Sequence, residues 1–179
     1  HTQRDRLVEL ANWLSLVTGS LAKMAQDIIL MAQSEVGEVR ETSDASRGGS
    51  STMPQKSNPI ISELIITAAR TNASLLANMH QAMIQEHERA THGWQMEWLT
   101  LPQMMNLTAV SLSKARFLSE NIVINKEQMR NNVTASNGLM LAEALTFALS
   151  PAYMSRPAAK QLVRDACQVA LAENKHLVD

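Results

Sequence analysis

A polar run at residues 49–59, which reads GSSTMPQKSNP, carries the side chains best suited to chemistry in this chain. A serine hydroxyl becomes a useful base only when its alkoxide is stabilised, by backbone N–H groups of a glycine-rich turn and by a nearby ammonium group. Ser51 and Lys56 could supply these two parts, and Asn58 could donate a hydrogen bond to a carboxylate. The run therefore suits proton abstraction beside a carboxylate, although its composition taken alone fits a solvated Ser/Gly linker better.

Long helices must position this run. Apolar residues recur at alternating spacings of three and four over residues 4–33, which predicts a helix with one buried seam. The seam consists of Leu7, Leu10, Leu14, Val17, Leu21, Met24, Ile28 and Met31. The periodicity is then lost over residues 35–57, a length of roughly twenty residues that is typical of functional loops. We therefore predict a mobile polar loop at residues 42–58.

Two further long helices are predicted after this loop. The first covers residues 59–88, with Asn58 as its cap and an N-terminus that favours an anion. The second covers residues 94–121 and is expected to bend at Pro102. Helices of this length reach roughly 40 Å, more than a compact domain of this size requires. The surplus length and apolarity point to an oligomeric bundle.

The predicted helices shorten after residue 121. Their local signals are a capping box at residues 125–128, a turn at 137–138, an apolar helix at 139–149 and a helix start at 155–157. No segment alternates as a strand would, so the predicted fold class is all-α. We assign residues 1–121 to a central helical bundle and residues 122–179 to a small, incomplete helical subdomain.

Composition excludes several classes of partner. The 179 residues are 45% hydrophobic and 18% charged, with a net charge of −1, and their Lys and Arg residues are not clustered, so no nucleic-acid partner is expected. No unbroken apolar run approaches the ~18 residues of a membrane span, so no membrane partner is expected either. The lone Cys167 favours a reducing compartment, and we expect a cytoplasmic protein. The chain lacks an initiator Met, and we expect it to be a piece of a longer protein.

The run at residues 49–59 resembles the GSS-x-MP-x-K-x-NP motif of the fumarase/aspartase superfamily of lyases and cycloisomerases. The resemblance implies that Ser51 is the general base and that Lys56 and Asn58 contact substrate carboxylates, with Ser50 beside them in the substrate site. It also implies that Glu63 pairs with a catalytic histidine from elsewhere in the protein. The alternative for Glu63, a surface glutamate on a helix, stays open.

Two further segments carry the resemblance. Residues 3–6, which read QRDR, are similar to the start of a central helix in adenylosuccinate lyases and their relatives. Residues 87–89, which read HER, are similar to the end of the next helix in those enzymes, and Arg89 is thereby implied to bind substrate. Adenylosuccinate lyases have a phosphate-binding Ser and Arg where this chain has Trp94 and Trp98, and indoles cannot supply such contacts.

Residues 85–102 are instead similar to the QEHER…W..EW.TLP pattern of bacterial 3-carboxy-cis,cis-muconate cycloisomerases. This resemblance implies interconversion of 3-carboxy-cis,cis-muconate and its lactone, by carboxylate addition and β-elimination, in protocatechuate (β-ketoadipate) catabolism. It implies no metal or organic cofactor, and a homotetramer whose subunits share each active site. Because only one of three active-site regions falls within residues 1–179, this chain alone is expected to be inactive.

Two other functions remain open from the sequence. One is a different β-elimination lyase of the superfamily, such as an adenylosuccinate lyase-like enzyme, and the other is a helix-bundle core that serves only for oligomerisation. The residues His80, His87 and His92 are interpreted as structural or surface histidines, since no spacing among them suggests a metal site. Trp94 and Trp98 share a helical face and are equally compatible with a place in the core and with one in the pocket.

Overall fold

The computed structural model describes residues 3–42, 58–88, 90–150 and 152–178. Within these ranges the chain is helical, and the predicted all-α class is confirmed. The helices are α1 Asp5–Met31, α2 Ile60–Gln81, α3 Thr91–Asn121, α4 Lys126–Thr134, α5 Ala142–Leu149 and α6 Arg156–Glu173. They form two compact units, His1–Ile124 and Asn125–Asp179. The first unit contains the candidate site.

The core of the first unit lies where α1, α2 and α3 pack together. Its buried apolar centre consists of Val8, Ala11, Leu14, Met79 and Met104. The buried face of α1 also includes the small residues Thr18 and Ala25, which let the neighbouring helices approach closely. The predicted heptad is therefore displaced, because several of its large residues flank this narrower seam.

A buried polar cluster links the same three helices. The Asn72 amide on α2 donates to Thr108 Oγ1 on α3 at 3.0 Å and lies 3.4 Å from Thr18 Oγ1 on α1. All three side chains are buried, so these hydrogen bonds fix how the helices align, since a displaced helix would leave a buried polar group unpaired. Periodicity in the sequence gave no indication of this cluster.

A short antiparallel strand pair closes one end of the first unit. Strand β1 is Val39–Arg40 and strand β2 is Val123–Ile124, with Val39 opposite Ile124 and Arg40 opposite Val123. The sequence showed no strand-like alternation, so this pair was not predicted. Two residues are too few to display the two-residue alternation that identifies a strand in a sequence.

Both ends of α2 differ from the prediction. The helix begins at Ile60, and the Asn58 carbonyl, rather than its side chain, accepts a hydrogen bond from the Ile60 amide at 2.9 Å. Asn58 is thus not the side-chain cap. The helix ends at Gln81 instead of near residue 88, because a turn with its own hydrogen bonds follows. His87 in this turn has a φ of 51°, which is incompatible with a continuing α-helix.

The second unit contains α4, a 3₁₀ turn at Leu139–Leu141, α5 and α6. Its predicted helix starts are confirmed: Asn125 Oδ1 accepts from the Gln128 amide at 3.1 Å, and α6 begins directly after Ser155. The turn at Asn137 is held to the end of the unit by a 2.8 Å hydrogen bond from the Leu177 amide to the Asn137 carbonyl. None of the six predicted site residues lies in this unit.

Helices α1 and α2 are long and apolar enough to cross a membrane by length and composition alone. The same description fits the core helices of a protein that packs its helices against one another, as α1 and α2 do here with α3. Both carry ionised residues within their length, including Asp27 on α1 and Arg70 on α2. The length and apolar composition of α1 and α2 are therefore weak evidence for a membrane span.

Candidate active site

Two of the six predicted site residues, Asn58 and Glu63, lie within the described ranges. Asn58 is half-buried just before α2, and Glu63 is exposed in the first turn of that helix. Among the residues that the structure describes, none forms an ion pair with Glu63. The predicted base Ser51 and the other predicted substrate contacts lie outside the described residues, and the roles assigned to all six residues stay predictions. These contacts are Ser50, Lys56 and Arg89.

A residue that the sequence analysis did not select, Glu41, holds the start of α2. Glu41 is 5% exposed, and its carboxylate accepts hydrogen bonds from the Ile61 amide at 3.0 Å and the Ser62 amide at 2.8 Å. The Ser62 hydroxyl donates a third bond to it at 2.7 Å. A carboxylate is favourable here because the first amides of a helix have no partner within the helix and carry partial positive charge.

The N-terminus of the second helix was predicted to favour an anion, and two amides of its first turn bind the carboxylate of Glu41. Those two amides are therefore not free for a substrate anion. No signal in the sequence could have identified Glu41, because its partner amides lie twenty residues further along the chain and the fold alone brings them together.

Thr42, the residue after Glu41, is bound to the end of a different helix, α3. Thr42 Oγ1 donates to the carbonyl of Asn121, the last residue of α3, directly beside the β1–β2 pair. The segment before residues 43–57 is thus fixed to the end of α3 through Thr42. The segment after them, which is the start of α2, is fixed to Glu41. The run with Ser50, Ser51 and Lys56 lies between these two anchors in the sequence.

The turn that follows α2 carries the second predicted element of the site, residues 87–89. Gln85 Nε2 donates to the Ala82 carbonyl at 2.6 Å, and His92 Nε2 lies 3.0 Å from Glu86 Oε1. A Cβ atom on Gly93 would lie 2.5 Å from Gln85 Nε2 and 3.0 Å from the Ala82 carbonyl oxygen. An alanine at this position would displace the Gln85 side chain and press against the Ala82 carbonyl. A polar cavity of about 480 Å³ lies beside it, lined by Glu86, His87, Glu88, Ala90, Thr91 and His92.

Helix α3 starts from this turn and is tied to α1 by an ion pair. Arg4 Nε donates to Glu97 Oε1 at 2.6 Å, and a second guanidinium nitrogen of Arg4 contacts Glu97 Oε2. The hydrogen bond raises the pKa of the Arg4 guanidinium above its ordinary value, against an opposing effect of burial. The two indoles beside Glu97, Trp94 and Trp98, contact each other with ring centroids 4.6 Å apart and are both exposed. They are therefore not part of this unit's core.

Comparison with known proteins gives a consistent result. A family model described as lyase matches residues 1–72. The 3-carboxy-cis,cis-muconate cycloisomerase of Acinetobacter baylyi (strain ATCC 33305 / BD413 / ADP1) is 43% identical over 179 residues, which cover 100% of this chain and 40% of that protein. The crystal structure of 3-carboxy-cis,cis-muconate lactonizing enzyme from Pseudomonas putida superposes with a TM-score of 0.85 and 45% identity, and the match covers 99% of this chain and 39% of that one.

The predicted resemblance is thus confirmed as a similarity, to a lyase family over residues 1–72 and to 3-carboxy-cis,cis-muconate cycloisomerases over the whole of this chain. The chain spans about two fifths of the length of the relatives it matches. The trans-aconitate decarboxylase 1 of Mycosarcoma maydis is also similar, at 40% identity over 179 residues, covering 100% of this chain and 36% of that protein. Among the described residues, no group of three or more His, Cys, Asp or Glu side chains could hold a metal ion.

Proposed function

We propose that the complete gene product is a 3-carboxy-cis,cis-muconate cycloisomerase. The observation that supports this most strongly is that all 179 residues of this chain align with one such enzyme at 43% identity. This alignment includes the polar run at residues 49–59 and the tryptophan-containing pattern at residues 85–102. Because these two segments carry the predicted base and substrate contacts, the resemblance concerns the chemistry as well as the helices.

The reaction adds a carboxylate oxygen of the substrate to one carbon of a conjugated double bond and a proton to the neighbouring carbon. In reverse, the alkoxide of Ser51 takes that proton and the C–O bond breaks, which restores the double bond and the free carboxylate. Negative charge develops on an already anionic substrate, so cationic and amide side chains nearby lower the barrier. We assign that role to Lys56, Asn58 and Arg89, with Ser50 at the same substrate.

We assign Glu63 to orienting a histidine from another part of the protein. Its position supports this assignment, since an exposed carboxylate in the first turn of α2 is available to a partner that this chain does not contain. We further propose that the protein is a cytoplasmic homotetramer in which each site draws residues from several subunits. Large apolar side chains exposed on the first unit, such as Leu16 and Leu99 at 62% and 69%, support extensive burial between subunits.

A rate measurement with two substrates tests the proposal. The complete gene product should consume 3-carboxy-cis,cis-muconate, followed by ultraviolet absorbance, and it should leave trans-aconitate unchanged. Ser51→Ala should lower kcat by ~10²–10⁴-fold, because it removes the general base, and Ser57→Ala in the same run should retain activity. Turnover of trans-aconitate, the substrate that a 40% identical relative is named for, would instead favour a decarboxylase.

A further inference from the structure

Glu41 stands apart from the other acidic residues of this chain in its surroundings. It is one of two acidic residues among the buried side chains of the described ranges, and the other, Glu97, pairs with an arginine. The partners of Glu41 are instead two backbone amides and one hydroxyl at the first turn of α2. Hydrogen bonds to an ionised acceptor are roughly twice as strong as neutral ones, so this contact fixes the start of α2 firmly.

The position of Glu41 in the chain means that its contact with α2 also joins two segments that are distant in sequence. Its neighbours Val39 and Arg40 pair with β2, and the next residue, Thr42, bonds to the end of α3. The carboxylate of Glu41 therefore joins the segment that enters residues 43–57 to the helix that leaves them. The same contact sets the direction in which Asn58 and Glu63 project, because both residues belong to the start of α2.

We infer that Glu41 is a positioning residue for the reaction proposed above, on which this inference rests. It touches no substrate. It holds the chain segment that ends at Thr42 and the start of α2, with Asn58 directly before that helix, at one fixed separation and orientation. A misplacement of about 1 Å in a catalytic group can cost ~10²-fold in rate, so loss of this contact must affect turnover.

Removal of the carboxylate tests this inference. In the complete gene product, Glu41→Ala should lower kcat/KM by ~10–100-fold, mostly through kcat, at a temperature where circular dichroism shows the protein to be fully folded. Glu41→Gln keeps the side-chain volume and one acceptor oxygen, and it should lose less. Sodium formate should restore part of the activity of Glu41→Ala, because a small carboxylate can occupy the vacated amides.

A matched variant separates positioning from simple destabilisation. Thr18→Ala removes a buried polar contact of the same unit, far along the chain from residues 41–63, and should lower the Tm without lowering kcat or responding to formate. Wild-type kcat and KM in folded Glu41→Ala would overturn the inference. So would an equal response of Thr18→Ala to formate.

A measurement without substrate keeps this inference distinct from the proposed function. Hydrogen exchange of peptides covering residues 60–66 should be slow in the wild type, fast in Glu41→Ala, and slow again with formate. Unchanged protection in Glu41→Ala would show that the contact does not hold α2, whichever substrate the protein takes. Failure of the wild type to consume 3-carboxy-cis,cis-muconate would instead count against the function and leave the exchange result standing.

Discussion

Among the residues that the structure describes, the first unit has two buried carboxylates, Glu41 and Glu97, and different partners compensate the cost of burying each of them. Glu97 is 4% exposed and would be costly to bury alone, and Arg4, whose side chain is 20% exposed, compensates it. Because the pKa of Arg4 is raised, the part of this contribution that depends on the guanidinium charge is complete below the ordinary pKa of arginine. It is lost as the pH rises through the raised pKa. The pair should therefore hold α1 to α3 throughout the neutral range.

A double-mutant cycle on this pair gives an asymmetric prediction. Arg4→Ala leaves a buried carboxylate unpaired and should cost about 3 kcal/mol, whereas Glu97→Ala leaves a guanidinium that can reach water and should cost less. The double variant should be more stable than the sum of the two losses implies, as measured by urea unfolding followed at the first unit's tryptophans. Equal and additive losses would show that the two side chains do not interact.

At the scale of elements, local patterns predicted the helices and non-local contacts decided where they end. Apolar spacing was sufficient for α1, and the local signal at Asn125 was sufficient for the start of α4, whereas α3 begins at Thr91, three residues before its predicted start. The start of α2 was misassigned because its cap, Glu41, comes from a distant part of the chain. For the candidate site, the motif selected Asn58 and Glu63, but only the fold shows what holds them.

The turn between α2 and α3 leaves little room for a side chain at Gly93. Gly93→Ala would place a methyl group 3.0 Å from the Ala82 carbonyl oxygen and displace Gln85, so the turn must shift. We expect a loss of about 1–3 kcal/mol and a lower kcat/KM, since the turn carries Arg89. Gly19→Ala is the matched control: nothing lies within 4 Å of its new methyl group, and alanine favours a helix by about 0.5–1 kcal/mol. The thermal unfolding temperature and kcat/KM of both variants, each compared with the wild type, test this prediction.

Across the first unit, several large apolar side chains of the long helices are exposed. Trp13 and Leu16 on α1 are 56% and 62% exposed, and Val110 on α3 is 50% exposed. Within the described ranges, the fully buried centre is small and rich in alanine, threonine and serine. Large apolar side chains exposed on a helix bundle indicate contact with further helices.

The proposed tetramer supplies those helices, and a charge placed on the surface tests it. Leu16→Glu puts a carboxylate where apolar burial is expected, which is strongly unfavourable between subunits, so the complete gene product should sediment as smaller species. Activity should fall with it, because each proposed site draws on several subunits. Gln168→Glu adds the same charge at an exposed polar position of α6 and should leave both sedimentation and rate unchanged. A Leu16→Glu protein that still sediments as a tetramer would place the subunit contacts on another face of α1.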